Sequence, residues 1–174
     1  MYDGEQLEIM VLSLPHEDPK RTLEAIIEMV VLATKATMRR VGATTLKRSD
    51  LFKGIEPDSA FYFRNAKLMR GKHELSLPLD PPPDLVLEVA IGRDALDKFP
   101  IYAALGVPEV WRWDGQSAII YRRDGGTYKE SSASAELPPV TSEALTLFVE
   151  RESEMDNLEW AEMIQAWVRD RHPA

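Results

Sequence analysis

The stretch that decides the fold is Pro83-Asp84-Leu85-Val86-Leu87-Glu88-Val89, whose leucine and β-branched residues are typical of a buried strand. A short helix is predicted after it, beginning near Asp97 and ending before Gly106, and a second apolar strand runs through Trp111. A strand, a helix and another strand form a βαβ unit, which predicts two parallel strands in the sheet. Glu88 stands out because a carboxylate in a buried strand needs a partner or a function.

The composition indicates a soluble globular protein. With 174 residues and 44% hydrophobic content, the chain is expected to form a single domain over residues 1–174. It has no apolar run of membrane-spanning length and no signal peptide, so we expect a cytoplasmic protein. There is no cysteine, and the three scattered histidines argue against a thiolate or histidine metal site.

The charge is unevenly distributed. A net charge of −8 argues mildly against a dedicated nucleic-acid binder, because binding to phosphates requires clustered lysine and arginine. Much of the negative charge lies between Glu150 and Glu162, whereas basic residues cluster at 39–53 and 64–72. Each basic cluster, taken alone, is more simply interpreted as a solvated face.

The remaining segments predict a mixed α/β fold in which a β-sheet is flanked by helices. We expect a strand at 7–14 and a long helix from Asp18-Pro19 to about Arg40, ended by Gly42. The other expected elements are a short strand at 43–46, a charged loop at 48–54, an aromatic strand at 57–63, a long connection at 64–83, a hairpin around Asp124-Gly125-Gly126, a short strand at 145–149 and a terminal helix capped by Ser153.

Two carboxylates are the main candidates for chemistry. If the strand beginning near Asp58 pairs antiparallel with residues 85–89, Asp58 lies beside Glu88. Two carboxylates at one sheet edge suit Mg²⁺, which takes few protein ligands and retains several waters. Either acid alone is more simply explained as a partner in a surface salt bridge. A glycosidase carboxylate pair is a further reading, which the small chain and the lysine partner disfavour.

Lys98 is the third candidate. In a βαβ unit the helix begins near the carboxyl end of the preceding strand, which places Lys98 close to Glu88. Its ammonium could orient a water or stabilise charge on phosphorus, although an ion pair with Asp94 is an equally good reading. Asp84 is expected to lie about 13 Å from Glu88 along the strand, too far to share an ion. Glu17 joins the site only if the long helix starts near the same sheet edge.

These motifs together resemble a known family. The combination of Pro57-Asp58, residues 82–89, Leu96-Asp97-Lys98 and residues 101–111 resembles the Uma-two family of putative restriction endonucleases, a former domain of unknown function. The similarity extends from about Leu7 to the C-terminal helix. One departure is Ile91-Gly92-Arg93, where family members tend to carry a Ser-Pro-Ser turn.

The resemblance implies a restriction-endonuclease-like fold of the PD-(D/E)xK superfamily and metal-dependent phosphodiester hydrolysis. Asp58 and Glu88 would then be catalytic residues that hold Mg²⁺ or Mn²⁺, and Lys98 would be the motif lysine displaced onto the next helix, since position 90 is alanine. DNA is the implied substrate, and a homodimer would supply the two sites that double-strand cleavage requires. The altered turn favours a second interpretation: a catalytically inactive, homo-oligomeric binding or assembly module with a nuclease-like fold.

Overall fold

The computed structural model describes residues 14–91 and 97–172, which form four α-helices and eight strands. In chain order the elements are α1 (Leu14–Thr34), β1 (Arg39–Arg40), β2 (Leu46–Arg48), β3 (Lys53–Ile55), β4 (Ser59–Tyr62), β5 (Leu85–Val89), α2 (Phe99–Leu105), β6 (Glu109–Trp113), β7 (Ala118–Asp124), β8 (Thr127–Ser131), α3 (Ser142–Glu152) and α4 (Asn157–Arg171). A short 3₁₀ turn, Ser49–Leu51, joins β2 to β3. No helix in the described ranges is long and apolar enough to cross a membrane.

Six strands form one mixed sheet in the order β1-β4-β5-β6-β7-β8. The expected βαβ unit is confirmed, because β5 and β6 are parallel and α2 connects them. β4 pairs antiparallel with β5, which is the condition under which Asp58 was expected to lie beside Glu88, and β7 and β8 form the expected hairpin. The strands β2 and β3 form a separate two-stranded sheet.

The two faces of the large sheet are covered differently. On one face, apolar residues of α1, α3 and α4 pack with Leu85, Leu87 and Trp111, which are fully buried. On the other face, Val86 packs with residues of α2 and of the β2–β3 hairpin. Alternate residues of β5 therefore face different layers, which explains its continuous apolar sequence. Glu88 shares the parity of Val86, so it faces the thinner layer that contains α2.

The long helix α1 begins and ends at different residues from those that the sequence predicts. It begins at Leu14, four residues before Asp18, and it ends at Thr34 rather than near Arg40. The end is a left-handed residue, Lys35, with φ of 56°, after which the Ala36 amide donates to the Val31 carbonyl at 3.1 Å. Because this position usually carries glycine, the sequence gives no stop signal there. The two arginines of β1 then pair with Phe61 and Tyr62 at the sheet edge.

Four other expectations are wrong. Residues 145–149 lie within α3 rather than in a strand, because the Thr141 side chain accepts from the Ala144 amide and caps a helix there. The cap of α4 is Asp156 and not Ser153; its carboxylate accepts from Leu158 and Glu159 amides at 2.9 and 3.0 Å. The expected short strand at 43–46 begins only at Leu46, and Lys53 and Gly54 of the expected charged loop belong to β3.

Residues 7–13 of the predicted first strand lie outside the described residues, and Leu14 is helical. Most of the altered turn, Gly92-Arg93, is also outside them.

Candidate active site

Asp58 lies one residue before β4, next to the carboxyl end of β5. Ser59 pairs with Leu87 in this antiparallel pair of strands, so the same register places Asp58 opposite Glu88. Asp58 is 6% exposed, and its Oδ2 accepts a hydrogen bond from the Val89 amide at 2.6 Å. This hydrogen bond continues the β4–β5 hydrogen-bond pattern through a side chain, and it fixes the position of the Asp58 carboxylate.

Glu88 is a buried acid with partners on both carboxylate oxygens. Lys98 Nζ donates to Oε2 and the Tyr102 hydroxyl donates to Oε1. Burial raises the pKa of Glu88 to about 7; Lys98 opposes this shift, and the neighbouring charge of Asp58 adds to it. The structure thus brings Asp58, Glu88 and Lys98 together, and the catalytic role of these residues remains a prediction.

The local sequence of α2 explains how Lys98 reaches Glu88. Lys98 is the N-cap residue, Pro100 occupies the first turn, and Gly106 ends the helix in the left-handed region with φ of 85°. The Lys98 side chain is only 10% exposed, and its charge is paired with a carboxylate that is itself 4% exposed. Asp94, the alternative partner in the sequence, lies outside the described residues.

Tyr102 is a site residue that the sequence reasoning missed. It follows Lys98 by four residues, so both side chains leave the same face of α2, and that spacing would have identified it. Its side chain is fully buried, and its pKa is raised well above 10 by burial and by the Glu88 charge, so it remains a neutral donor. Arg112 is a second missed neighbour, since it pairs in register with Glu88 on β6.

The carboxylates of Asp58 and Glu88 provide some of the oxygen ligands that a hard cation such as Mg²⁺ requires. Lys98 and Arg112 are basic residues beside these acids. Within residues 14–91 and 97–172, no group of three or more histidine or acidic side chains is arranged to hold a metal. Asp58 and Glu88 would therefore hold Mg²⁺ with only two protein ligands, which is consistent with an ion that retains its waters.

The other two acids considered in the sequence have local partners. Asp84 is buried and accepts from the Phe63 and Asn65 amides at 2.8 and 3.3 Å, so it fixes the turn after β4. Glu17 lies in the first turn of α1, with its carboxylate 3.5 Å from Lys20 Nζ and 3.8 Å from Arg21 Nε.

A separate group of buried acids lies at the opposite ends of β5 and β6. Glu109 is 1% exposed and accepts from Trp111 Nε1, the Ser134 hydroxyl and the Ala135 amide. Burial raises the pKa of nearby Glu136 to about 7, although Arg64 pairs with it at 2.7 Å. Glu109 therefore serves as a matched reference for Glu88: both are buried, hydrogen-bonded acids on adjacent strands.

The basic clusters are partly engaged in ion pairs. Arg48 forms two bonds to Asp50, at 2.8 and 2.6 Å, and Lys72 pairs with Asp80. Lys47 and Arg70 are exposed. Part of the basic charge seen in the sequence is therefore paired with acidic side chains of the same chain.

Comparison with known proteins identifies the family. The model of the Uma2 family, described as "Putative restriction endonuclease", matches residues 1–153. Among solved structures, the chain is similar to a putative nuclease belonging to DUF820 from Anabaena variabilis ATCC 29413, with 14% sequence identity and a TM-score of 0.55 over 95% of this chain and 88% of that chain. No curated protein matches the chain. The structural likeness agrees with the mixed sheet and flanking helices described above, and the chain belongs to the Uma2 family of putative restriction endonucleases.

Proposed function

We propose that this protein is a divalent-metal-dependent DNA endonuclease that hydrolyses phosphodiester bonds at Asp58, Glu88 and Lys98. One observation carries the proposal: two acids from adjacent strands and an ammonium from the next helix meet at one end of the β4–β5 pair. Membership of the Uma2 family of putative restriction endonucleases agrees with this function. The catalytic activity and the DNA substrate are proposals.

The roles follow from charge and position. Asp58 and Glu88 would hold Mg²⁺ or Mn²⁺, which supplies Lewis-acid polarisation of a phosphate and a lowered pKa of a bound water. Lys98 would orient the attacking water and stabilise the charge that develops on the phosphate oxygens. Water forms the new P–O bond and loses a proton to solvent. The bond from phosphorus to the 3′ oxygen breaks and that oxygen takes up a proton, leaving a 5′-phosphate and a 3′-hydroxyl.

Substrate binding would use the basic surface. Exposed side chains such as Lys47 and Arg70 would contact the DNA backbone, which positions the duplex without reading its sequence.

A homodimer related by a twofold axis would place two sites on opposite strands. Sedimentation equilibrium at micromolar concentration tests that assembly.

The test is cleavage of supercoiled plasmid by purified protein with Mg²⁺ or Mn²⁺. We expect nicking that EDTA abolishes and that Asp58→Asn reduces by at least about 100-fold, because a charged ligand is lost. Ligase should reseal the nicks, since it requires a 5′-phosphate beside a 3′-hydroxyl. Absence of nicking with either metal, or equal nicking by Asp58→Asn, would refute the proposal.

A second function is favoured by one feature of the same site. Both Glu88 oxygens already accept hydrogen bonds and Asp58 binds the Val89 amide, so these groups are satisfied within the protein. A site of this kind also suits a catalytically inactive, homo-oligomeric binding module. That function predicts no metal uptake in calorimetry and an unchanged oligomer in Glu88→Gln.

A further inference from the structure

The β2–β3 hairpin carries an exposed aromatic residue at its tip. Its inner residues Leu46 and Ile55 are buried against the layer that contains α2, so the base of the hairpin is firmly packed. The 3₁₀ turn Ser49–Leu51 ends at Phe52, whose side chain is 72% exposed. The fold thus anchors the hairpin at its base and presents Phe52 to solvent.

Phe52 adopts a backbone conformation that its side chain does not favour. Its φ of 51° and ψ of 38° lie in the left-handed region, where glycine or asparagine is usual. A phenylalanine there costs free energy, and its exposed ring gains little packing in return. Fold stability alone therefore does not explain an aromatic residue at this position, and such strain is commonly found at functional sites.

The surroundings of Phe52 are positively charged. The hairpin contains Lys47, Arg48 and Lys53 against a single acid, Asp50, in a chain whose net charge is −8. Asp50 forms two hydrogen bonds with Arg48 across the turn, so this pair shapes the tip. Lys47 is exposed on β2, and the half-buried Lys53 directly follows Phe52. A hairpin that combines an exposed aromatic side chain with cationic side chains is complementary to nucleic acid.

The tip lies within reach of the candidate active site. Five residues separate Phe52 from Asp58, and the six chain steps between them span at most about 20 Å when fully extended. Both strands of the hairpin also contact α2, the helix whose N-cap residue is Lys98. One turn of duplex DNA is about 34 Å long, so a duplex is long enough to contact both Asp58 and the tip.

We propose that the β2–β3 hairpin is a DNA-binding element in which Phe52 stacks on a base and Lys47 and Lys53 contact phosphates. The inference rests on the proposed function for the identity of the ligand, DNA. Insertion of an apolar side chain at a base step unstacks the bases and bends the duplex. The hairpin would thereby grip and distort the strand near the phosphate that is cut.

The test measures binding separately from cleavage. DNA binding is measured by titrating a fluorescein-labelled 20-base-pair duplex with the full chain and recording the fluorescence anisotropy. The buffer contains Ca²⁺, which takes oxygen ligands as Mg²⁺ does. We expect Phe52→Gly to weaken binding by about 5- to 100-fold, the range for loss of one stacked base. We also expect the wild type, but not this variant, to increase the fluorescence of 2-aminopurine in the duplex. Replacing both Lys47 and Lys53 by alanine should reduce the salt slope of binding by about two.

Two controls separate binding from folding. Phe52→Gly relieves the left-handed strain, so its melting temperature should equal or exceed that of the wild type. Leu158→Ala removes a comparably exposed apolar side chain, 68% exposed, from α4 and should leave DNA affinity unchanged. If cleavage occurs but the complex is too weak for anisotropy, the KM for duplex replaces the dissociation constant.

The outcomes distinguish the two proposals. Equal affinity, or equal KM, of wild type and Phe52→Gly overturns the hairpin proposal and leaves the nuclease proposal intact. Binding that depends on Phe52, without cleavage in Mg²⁺ or Mn²⁺, supports the hairpin and refutes the nuclease. Absence of both cleavage and binding overturns both.

Discussion

The burial of Glu88 predicts that the protein loses stability as pH rises. Its pKa is about 7 in the folded protein, against an ordinary value of 4.5. Between these values the folded state retains a proton that the unfolded chain has released. The contribution to stability is therefore fully present below pH 4.5 and is lost as pH rises through 7.

The size of the effect follows from the difference between the two pKa values. A difference of about two and a half units corresponds to about 3 kcal/mol, at 1.36 kcal/mol per unit. The side chain is 4% exposed, so little of this is lost to screening by solvent. The free energy of unfolding of a small protein is about 5–15 kcal/mol, so a change of about 3 kcal/mol is a large fraction of it and is readily measured.

The assay is urea unfolding at pH 5 and pH 8 for the wild type and Glu88→Gln. The wild type should lose about 2.5 kcal/mol more than the variant over this range, because glutamine does not titrate. Glu136, with a similar pKa, is present in both proteins and cancels in the comparison. Identical pH dependence of the two proteins would refute the reasoning.

A cation extends the same prediction. Mg²⁺ or Mn²⁺ binds the ionised carboxylate, so at pH 6 binding should release close to one proton per ion, measured by calorimetry in two buffers. At pH 8 the ion should restore stability in the wild type and not in Glu88→Gln. Metal binding without proton release at pH 6 would contradict the assignment of Glu88 as a ligand.

Three further substitutions test the surrounding structure. Tyr102→Phe removes a donor that lowers the pKa of Glu88, so the pH at which stability is lost should move upward in urea unfolding at several pH values; an unchanged midpoint would contradict the contact. Asp84→Ala leaves the Phe63 and Asn65 amides without their acceptor and should cost roughly 3 kcal/mol, whereas a cost below about 1 would contradict its structural role. Asp156→Ala removes the cap of α4 and should lower the free energy of unfolding by about 1 kcal/mol; no change would contradict the cap.

The parts of the fold that the sequence predicts are those with local signals. The apolar run of β5, the proline and glycine that bound α2, and the Asp124-Gly125-Gly126 turn each determine structure within a few residues. Signals were missing or ambiguous elsewhere. Lys35 ends α1 in a conformation that lysine seldom adopts, and Leu145–Val149 is apolar enough to suit either a strand or the helix it forms.

The candidate site was predictable in outline. Antiparallel pairing of β4 with β5 placed Asp58 near Glu88, and the βαβ rule placed Lys98 near both. The sequence does not reveal how deeply these groups are buried, because burial depends on packing from all elements at once. Tyr102 was missed although it lies four residues after Lys98, because an aromatic residue in a short helix usually indicates core packing. Here its hydroxyl donates a hydrogen bond to Glu88.

The most direct test of the central claim compares two buried acids on adjacent strands. Single-turnover nicking of supercoiled plasmid in Mn²⁺ is measured for the wild type, Glu88→Gln and Glu109→Gln, each first shown to be folded by circular dichroism. We predict that Glu88→Gln lowers the nicking rate by at least about 100-fold, because a charged ligand is lost, and that Glu109→Gln, at the opposite ends of β5 and β6, lowers it by less than about threefold. Equal rates for wild type and Glu88→Gln, or equal losses in both folded variants, would contradict the claim that this site cleaves DNA.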